Sequence, residues 1–251
     1  MRVFLTGASS GIGEALARHY AARGATLGLV ARRADRLEAL KTSLAAHAEA
    51  YAVDVRDLPA MRNSARDFIA KHGVPDLVIA NAGVSHGTLT EFADDVDVFR
   101  QILDINVIGM VNAFHPFVAP MREARRGVLA GVASVAGYRG LPGASAYSAS
   151  KAAAIRYCES LRVELRGTGV RVATICPGYI ATPMTAKNPY PMPFIISAED
   201  FARRFARAID AGSTYAVIPW PMAIVAKLLA LLPNALYDAA FSRAGRKPRK
   251  G

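Results

Sequence analysis

Tyr147 and Lys151 are the two residues whose types and spacing best suit proton transfer. They are four positions apart, so on a helix both side chains project from one face. A free tyrosine has a pKa of about 10 and exchanges protons poorly at neutral pH. A neighbouring ammonium stabilises the phenolate, which lowers that pKa. We therefore predict that Tyr147 is a general acid or base and that Lys151 assists it.

A glycine-rich segment near the start of the chain has the composition of a phosphate-binding turn. It follows a short apolar run and precedes residues with helical apolar spacing, the strand–turn–helix context of dinucleotide sites. In that context one glycine takes an unusual backbone angle, one lets the backbone approach a pyrophosphate, and one lets the helix pack closely. The amides and dipole at the helix N-terminus favour phosphate. The predicted contacts of this turn are Gly7, Ser9, Ser10, Gly11, Ile12 and Gly13.

The same segment also fits the G-x-S-x-G pattern of α/β-hydrolases, in which Ser9 would be the nucleophile. The serine of a hydrolase needs an oxyanion loop from earlier strands, and only one predicted strand precedes this turn. The five histidines of the chain show no context that selects one of them as a base. A hydrolase is therefore the weaker alternative.

Two arginines end the second predicted strand, where an NAD site usually places an acid for the ribose 2′-hydroxyl. An acid would repel a 2′-phosphate, whereas a guanidinium binds it through charge-assisted hydrogen bonds. The predicted cofactor is therefore NADP(H), bound by Arg32 and Arg33. Arg32 has the stronger claim because it occupies the position of the acid; a purely surface role for the arginines is the alternative.

Short apolar runs and amphipathic stretches alternate along the chain, and these must position the residues above. We predict strands at residues 3–6, 26–31, 50–53, 77–80, 127–133, 170–175 and 215–218. We predict helices at residues 12–23, 35–47, 59–71, 98–121, 146–166, 198–211 and 222–232. This alternation is typical of right-handed βαβ crossovers. The expected fold class is α/β, a single Rossmann-type domain with a doubly wound parallel sheet flanked by helices.

Further motifs, in the order and at the spacing typical of the family, make the chain resemble the short-chain dehydrogenase/reductase family over roughly residues 1–215. Besides the glycine turn and Tyr147-Ser-Ala-Ser-Lys151, they comprise Asp54-Val55, Asn81-Ala82-Gly83, Asn106, Ser134, and Pro177-Gly178 with Ile180 and Thr182 beyond. The resemblance implies that Asp54 and Val55 hold the adenine. It implies that Asn81, Ala82 and Gly83 contact the cofactor and that the segment from Pro177 to Thr182 lies beside the nicotinamide.

The resemblance also implies a catalytic set. Ser134 would hydrogen-bond the substrate oxygen, and Asn106 would hold a water that links Lys151 to solvent. Tyr147 and Lys151 would in addition contact the cofactor, and Lys151 would bind the nicotinamide ribose. The implied activity is hydride transfer between NADP(H) and a carbonyl or alcohol on an apolar substrate. The alternative is a non-catalytic NADP(H)-binding or redox-sensing protein, which need not retain Ser134, Tyr147 and Lys151 together.

The chain changes character after residue 177. We divide it into a domain at residues 1–215, with a proline-punctuated substrate lid at about 182–197, and a C-terminal apolar helix and basic tail at 216–251. Loops at residues 84–90, 136–143 and 182–196 are expected to bound the substrate. The C-terminal segment is expected to pack on the domain or on another subunit in a homodimer or homotetramer. Weak contact with a membrane surface is the alternative.

The net charge is +11, but its distribution argues against a nucleic-acid partner. Positive charges concentrate at the end of the chain, which is expected to be a solvated tail: Arg243, Arg246, Lys247, Arg249 and Lys250. Attraction of this tail to anionic lipid or to a phosphorylated ligand is the alternative.

The remaining sequence features concern the cellular compartment of the protein. The chain has two cysteines, which we expect to be buried thiols in a reducing compartment, and no metal site is expected. No apolar run suits a signal peptide or a transmembrane helix. A cytoplasmic location is expected, with a peripheral position at the inner face of a membrane as the alternative.

Overall fold

Seven short parallel strands form one sheet in the computed structural model, which describes residues 1–242 and 244–249. The strands are β1 Arg2–Thr6, β2 Thr26–Ala31, β3 Ala48–Ala52, β4 Leu77–Ala80, β5 Val128–Val132, β6 Arg171–Pro177 and β9 Tyr215–Ile218. They run across the sheet in the order β3-β2-β1-β4-β5-β6-β9. A separate parallel pair consists of β7, Ile180–Ala181, and β8, Ile196–Ser197.

Helices cover both faces of the sheet. Their bounds are α1 Gly11–Ala22, α2 Ala34–Ser43, α3 Leu58–His72, α4 Asp94–Leu103, α5 Gly109–Glu123, α6 Ser145–Glu164, α7 Ala198–Asp210, α8 Pro221–Leu231 and α9 Asn234–Phe241. A π-helical turn, Asp104–Ile108, joins α4 to α5. The predicted α/β class and the doubly wound Rossmann-type sheet are confirmed.

The central strands are apolar along their whole length because helices cover them on both sides. Every residue of β4 and of β5 is buried. One core lies between the sheet and α1, α2 and α7, and includes Leu16 and Phe205. The other lies against α3, α5 and α6, and includes Phe68 and Phe117.

The strand order reverses at β1, which pairs with β2 on one side and with β4 on the other. In open parallel sheets the crevice outside the carboxyl ends of the strands at such a reversal is where ligands bind. The glycine turn follows β1 and the Asn81 motif follows β4, so this topology brings the two predicted motifs together.

One continuous helical run, Asp94–Glu123, includes the helix predicted at residues 98–121. Its π-helical turn was not predicted. The run is long and apolar enough to span a membrane by length and composition, but half of its most apolar window is buried. Helices α8 and α9 pass the same test only as a pair bent by 118°. Such burial of the Asp94–Glu123 run is what is expected of a helix that packs in the core of a domain.

The carboxyl end differs from the expected solvated tail. Residues 244–249 run back along the domain, and Gly87 forms a parallel bridge with Arg249. Arg243 and Lys250 lie outside the described residues. The division at residue 215 stays a prediction, and β9 pairs with β6, which places residues 215–218 in the main sheet.

Candidate active site

A cleft of about 440 Å³ opens at the carboxyl edge of the sheet, around the strand reversal. It brings together every predicted cofactor residue and three of the four predicted catalytic residues. Those that line it are Gly7, Ser9, Ser10, Gly11, Ile12, Gly13, Arg32, Arg33, Asp54, Val55, Asn81, Ala82, Gly83, Ser134, Tyr147, Lys151, Pro177, Gly178, Ile180 and Thr182. Asn106 is the exception and is buried beside the cleft.

The glycine turn is built so that the N-terminus of α1 faces the cleft. Gly7 has a φ of +71°, which favours glycine. A Cβ on Gly13 would lie 2.0 Å from the Gly7 carbonyl oxygen, so only glycine allows this approach. Ser10 precedes α1 but its side chain does not cap the helix. The first amides of α1 therefore have no side-chain partner from Ser10, and they suit an anionic ligand.

Arg33 and Arg32 take different directions at the end of β2. The Arg33 Nη2 donates to Ser9 Oγ at 3.0 Å and to Ser10 Oγ at 3.0 Å. The Arg32 Nη1 instead lies 3.9 Å from Asp54 Oδ2. Sequence position favours Arg32, but the guanidinium that reaches the glycine turn is that of Arg33.

Asp54 is held mainly by Arg56. Its Oδ2 lies 2.8 Å from the Arg56 Nη2. The hydrogen bond from Arg56 keeps the pKa of Asp54 below its usual value. Asp54 is therefore a carboxylate at neutral pH, and its charge is partly neutralised where it borders the cleft.

A hydrogen-bonded clamp joins the ends of β1 and β4. Thr6 Oγ1 accepts from the backbone amides of Asn81 and Ala82, each at 3.1 Å. The Asn81 side chain donates to the Thr6 carbonyl at 3.1 Å. This clamp fixes the Asn81-Ala82-Gly83 segment against the glycine turn.

Tyr147 and Lys151 lie one turn apart on α6, as predicted, and Ser134 reaches them from the end of β5. The Lys151 Nζ donates to the Val132 carbonyl at 2.9 Å and lies 5.8 Å from the Tyr147 ring centroid. Ser134 Oγ accepts from the Ala136 amide at 3.1 Å and is hydrogen-bonded to Tyr147. A phenol, a hydroxyl and an ammonium therefore meet at one end of the cleft.

The pKa values of this group differ from our expectation. Burial raises the pKa of Tyr147, and the hydrogen bond with Ser134 offsets this only in part. We expected Lys151 to lower the pKa of Tyr147, but the Lys151 ammonium is directed at Val132. Burial also lowers the pKa of Lys151 to about 8. Tyr147 is thus a neutral phenol at neutral pH, the state that donates a proton.

Asn106 lies in the π-helical turn and fastens two segments of the site. Its Oδ1 accepts from the Val84 amide at 2.8 Å, and its Nδ2 donates to the Val84 carbonyl at 3.0 Å. The same Nδ2 donates to Ser150 Oγ at 2.9 Å, and Ser150 Oγ donates to the Tyr147 carbonyl at 2.7 Å. The side chain of Asn106 therefore ties the loop after β4 to the tyrosine helix. Its role in holding a water stays a prediction.

Our sequence analysis missed Ser85 and Lys247 at this site. The Lys247 Nζ donates to Ser85 Oγ at 2.8 Å and lies 5.9 Å from the Tyr147 ring centroid. Ser85 and Lys247 are 162 positions apart. No local pattern in the sequence signals a contact of that range.

Comparison with known proteins agrees with this geometry. The family model for short chain dehydrogenases matches residues 1–191. The chain is 41% identical to an "Uncharacterized oxidoreductase" from Myxococcus xanthus, over 95% of each chain. It is 34% identical to "11-beta-hydroxysteroid dehydrogenase-like 2" from Arabidopsis thaliana, over 86% of this chain and 73% of the relative.

A solved structure leads to the same class. It is a short chain dehydrogenase from Burkholderia cenocepacia J2315 in complex with NADP, with a TM-score of 0.82, 25% identity and coverage of 96% of each chain. Fold, cleft and relatives define an oxidoreductase that acts on a CH–OH or C=O group with a nicotinamide cofactor. The chain belongs to the short-chain dehydrogenase/reductase family, which removes the hydrolase alternative.

Proposed function

We propose that this protein transfers a hydride between NADP(H) and a carbonyl or alcohol group on a substrate with an apolar body. The observation that carries the proposal is the meeting of Ser134, Tyr147 and Lys151 at one end of the cleft. The other part of the cleft is bordered by the glycine turn and Arg33. The joint presence of the three side chains argues against a purely cofactor-binding protein.

The residues of the cleft fit a dinucleotide. The close approach of Gly13 to Gly7 and the open N-terminus of α1 suit a pyrophosphate. The Asp54-Val55 pair borders the same cleft, where it would hold the adenine. When bound, the cofactor supplies the hydride that adds to the carbonyl carbon of the substrate. Lys151 would hold its ribose, and the segment from Pro177 to Thr182 would lie beside it.

The chain's own residues handle the oxygen of the substrate. Ser134 would donate a hydrogen bond to that oxygen and orient the carbonyl group. Tyr147, a neutral phenol, would give its proton to the same oxygen as negative charge develops there. The positive charge of Lys151 would then stabilise the phenolate that remains. In the reverse direction the Tyr147 phenolate, stabilised by the charge of Lys151, would take the proton from the alcohol and become the neutral phenol.

The preference for NADP(H) over NAD(H) is supported by the charges at the end of β2. Arg33 joins two serine hydroxyls there, and the three groups together offer guanidinium and hydroxyl donors for a 2′-phosphate. Asp54 borders this end of the cleft, but its charge is shared with Arg56 and Arg32. The Burkholderia cenocepacia relative was solved with NADP.

Titration of the purified protein with NADPH and NADH, followed by fluorescence, tests the proposed cofactor. We expect NADPH to bind at least about tenfold more tightly than NADH, because a phosphate–guanidinium contact contributes over about 1.4 kcal/mol. Arg33→Asp should remove most of this difference, and Arg32→Asp should remove less. Equal affinities in the wild-type protein, or equal losses of both cofactors in Arg33→Asp, would contradict the assignment.

Assembly and location are further parts of the proposal. We propose a homodimer or homotetramer located in the cytoplasm. The assembly is supported by an exposed apolar stripe on α8 and the residue before it, formed by Trp220, Ile224, Leu228 and Leu231. Weak contact of this stripe with the inner face of a membrane is the alternative. Measurement of mass in solution and co-sedimentation with vesicles separates the two.

A further inference from the structure

Residues 244–249, which we call the tail, are fixed against the loop that follows β4. The Gly87 amide donates to the Pro248 carbonyl at 2.9 Å. The Arg249 Nε donates to Asp95 Oδ2 at 2.7 Å, and its guanidinium lies 3.7 Å from the Phe92 ring centroid. Asp95 is only 3% exposed, whereas the Arg249 side chain is 35% exposed, so the tail is held by an ion pair to a buried carboxylate.

The tail also contacts two other loops. The side chain of Arg246 packs on Gly143, where a Cβ would lie 2.9 Å from the Arg246 Cβ. A Cβ on Gly245 would lie 3.3 Å from the Cβ of Tyr190. The tail therefore touches each of the loops 84–90, 136–143 and 182–196, the three that we expect to bound the substrate. Because the tail lies across all three of these loops, it is placed to contact a bound substrate.

Lys247 is the residue of the tail that reaches the site. Its Nζ donates to Ser85 Oγ at 2.8 Å and lies 5.9 Å from the Tyr147 ring centroid. Lys247 is partly buried, and this burial lowers the pKa of its ammonium. Within residues 1–242 and 244–249, no carboxylate lies within ion-pair distance of Lys247, whereas Arg249 is paired with Asp95.

A partly buried ammonium that contacts a neutral hydroxyl has lost hydration without gaining an opposite charge. An anion beside it would supply that charge, and a charge-assisted hydrogen bond is stronger than a neutral one. Tyr147 lines the cleft together with Val84, Pro183 and Met184, which suit an apolar body. Lys247 thus presents a charge next to the group that would donate the proton.

We propose that Lys247 binds a carboxylate of the substrate, so that the preferred substrate is a carbonyl compound with an apolar body and a carboxylate group. The proposal rests on the proposed function, because it places the carboxylate relative to Tyr147 as the proton donor. It makes Lys247 a specificity-determining residue and leaves the proton transfer to Tyr147. The opposing view is that the tail obstructs the cleft and must leave before any substrate binds.

The test compares matched pairs of aldehydes, each an oxo-carboxylic acid and its methyl ester, over a series of chain lengths with NADPH. For the best length we expect kcat/KM of the acid to exceed that of the ester at least about tenfold. Lys247→Gln should bring this ratio towards one, whereas Lys247→Arg should retain most of it. Lys71→Gln removes an exposed lysine of α3, away from the cleft, and serves as the control, with the wild-type ratio expected.

Three results would overturn the proposal. The first is an acid-to-ester ratio of kcat/KM equal to one in the wild-type protein. The second is a ratio in Lys247→Gln equal to that of the wild type. The third is an equal gain in kcat/KM for acid and ester when the chain is truncated before residue 244. The last result would identify the tail as an obstruction. The carboxylate assignment can fail while the proposed function holds. In that case the protein still reduces the esters with NADPH, and Tyr147→Phe abolishes this reduction. Absence of NADPH-dependent reduction of both acids and esters would contradict both proposals.

Discussion

At the scale of single residues, the chemistry of the site depends on how burial sets the protonation states of Tyr147 and Lys151. Burial disfavours both charged forms, which raises the pKa of the phenol and lowers that of the ammonium. The phenol is therefore ready to donate, and the charge that would stabilise the resulting phenolate is carried by a group that titrates near neutral pH.

The pH dependence of the reduction follows from Lys151. Its pKa is lowered to about 8, so it is charged below that pH and neutral above it. Tyr147 has a raised pKa and stays protonated across the same range. We expect kcat for NADPH-dependent reduction to be constant below this pKa and to fall as pH rises through about 8. A profile of kcat against pH measures this, and a constant kcat well above that value would contradict the role of Lys151.

At the scale of elements, the glycine turn and α1 act as one unit. A Cβ on Gly13 would meet the Gly7 carbonyl oxygen at 2.0 Å, which is backbone and cannot give way without moving the turn. Gly13→Ala should therefore weaken NADPH binding at least about tenfold or lower the melting temperature by several degrees. A Cβ on Gly140 meets nothing within 4 Å, so Gly140→Ala is the matched control. Wild-type affinity and stability in Gly13→Ala would contradict this account.

Most elements could be predicted from the sequence because buried parallel strands are continuous apolar runs and their helices are amphipathic. The strands at residues 26–31, 77–80 and 215–218 have the predicted bounds. The π-helical turn was not predicted; its Asn106 contacts Val84, which is 22 positions away, and no local sequence pattern signals such a contact. Sequence position favoured Arg32, whereas in the structure Arg33 reaches the glycine turn. Neighbouring elements set the directions of these side chains, and the sequence of one strand end does not show them.

The position of the tail could not be predicted from its amino-acid composition. A run of basic residues is usually solvated, which is what we expected. In the structure Arg249 pairs with Asp95 and Lys247 reaches Ser85. Each contact joins residues more than a hundred positions apart. Charge density alone carries no information on such partners.

At the scale of the whole molecule, α8 and the Trp220 that precedes it present an apolar stripe to solvent. Trp220 is 67% exposed, Ile224 54%, Leu228 63% and Leu231 81%. They are spaced four, four and three positions apart, so they share one face of the helix. Exposed apolar patches of this kind mark interaction surfaces.

We expect this stripe to contact a second copy of the chain. Leu228→Glu should shift the protein towards lower mass in light scattering, because it places a charge in an apolar contact. Ala39→Glu adds the same charge to an exposed position of α2 and should leave the mass unchanged. A wild-type monomer that sediments with anionic vesicles would instead favour the membrane alternative.

The central claim is that Tyr147 gives the proton while NADPH gives the hydride, and one variant tests it most directly. Turnover and NADPH affinity are measured in wild type and Tyr147→Phe, with the aldehydes and ketones that the wild type reduces. Loss of the phenol hydroxyl should lower kcat at least about a hundredfold, because it removes general acid catalysis. NADPH affinity should stay within about twofold, since the ring is retained. A kcat close to wild type in Tyr147→Phe would contradict the claim.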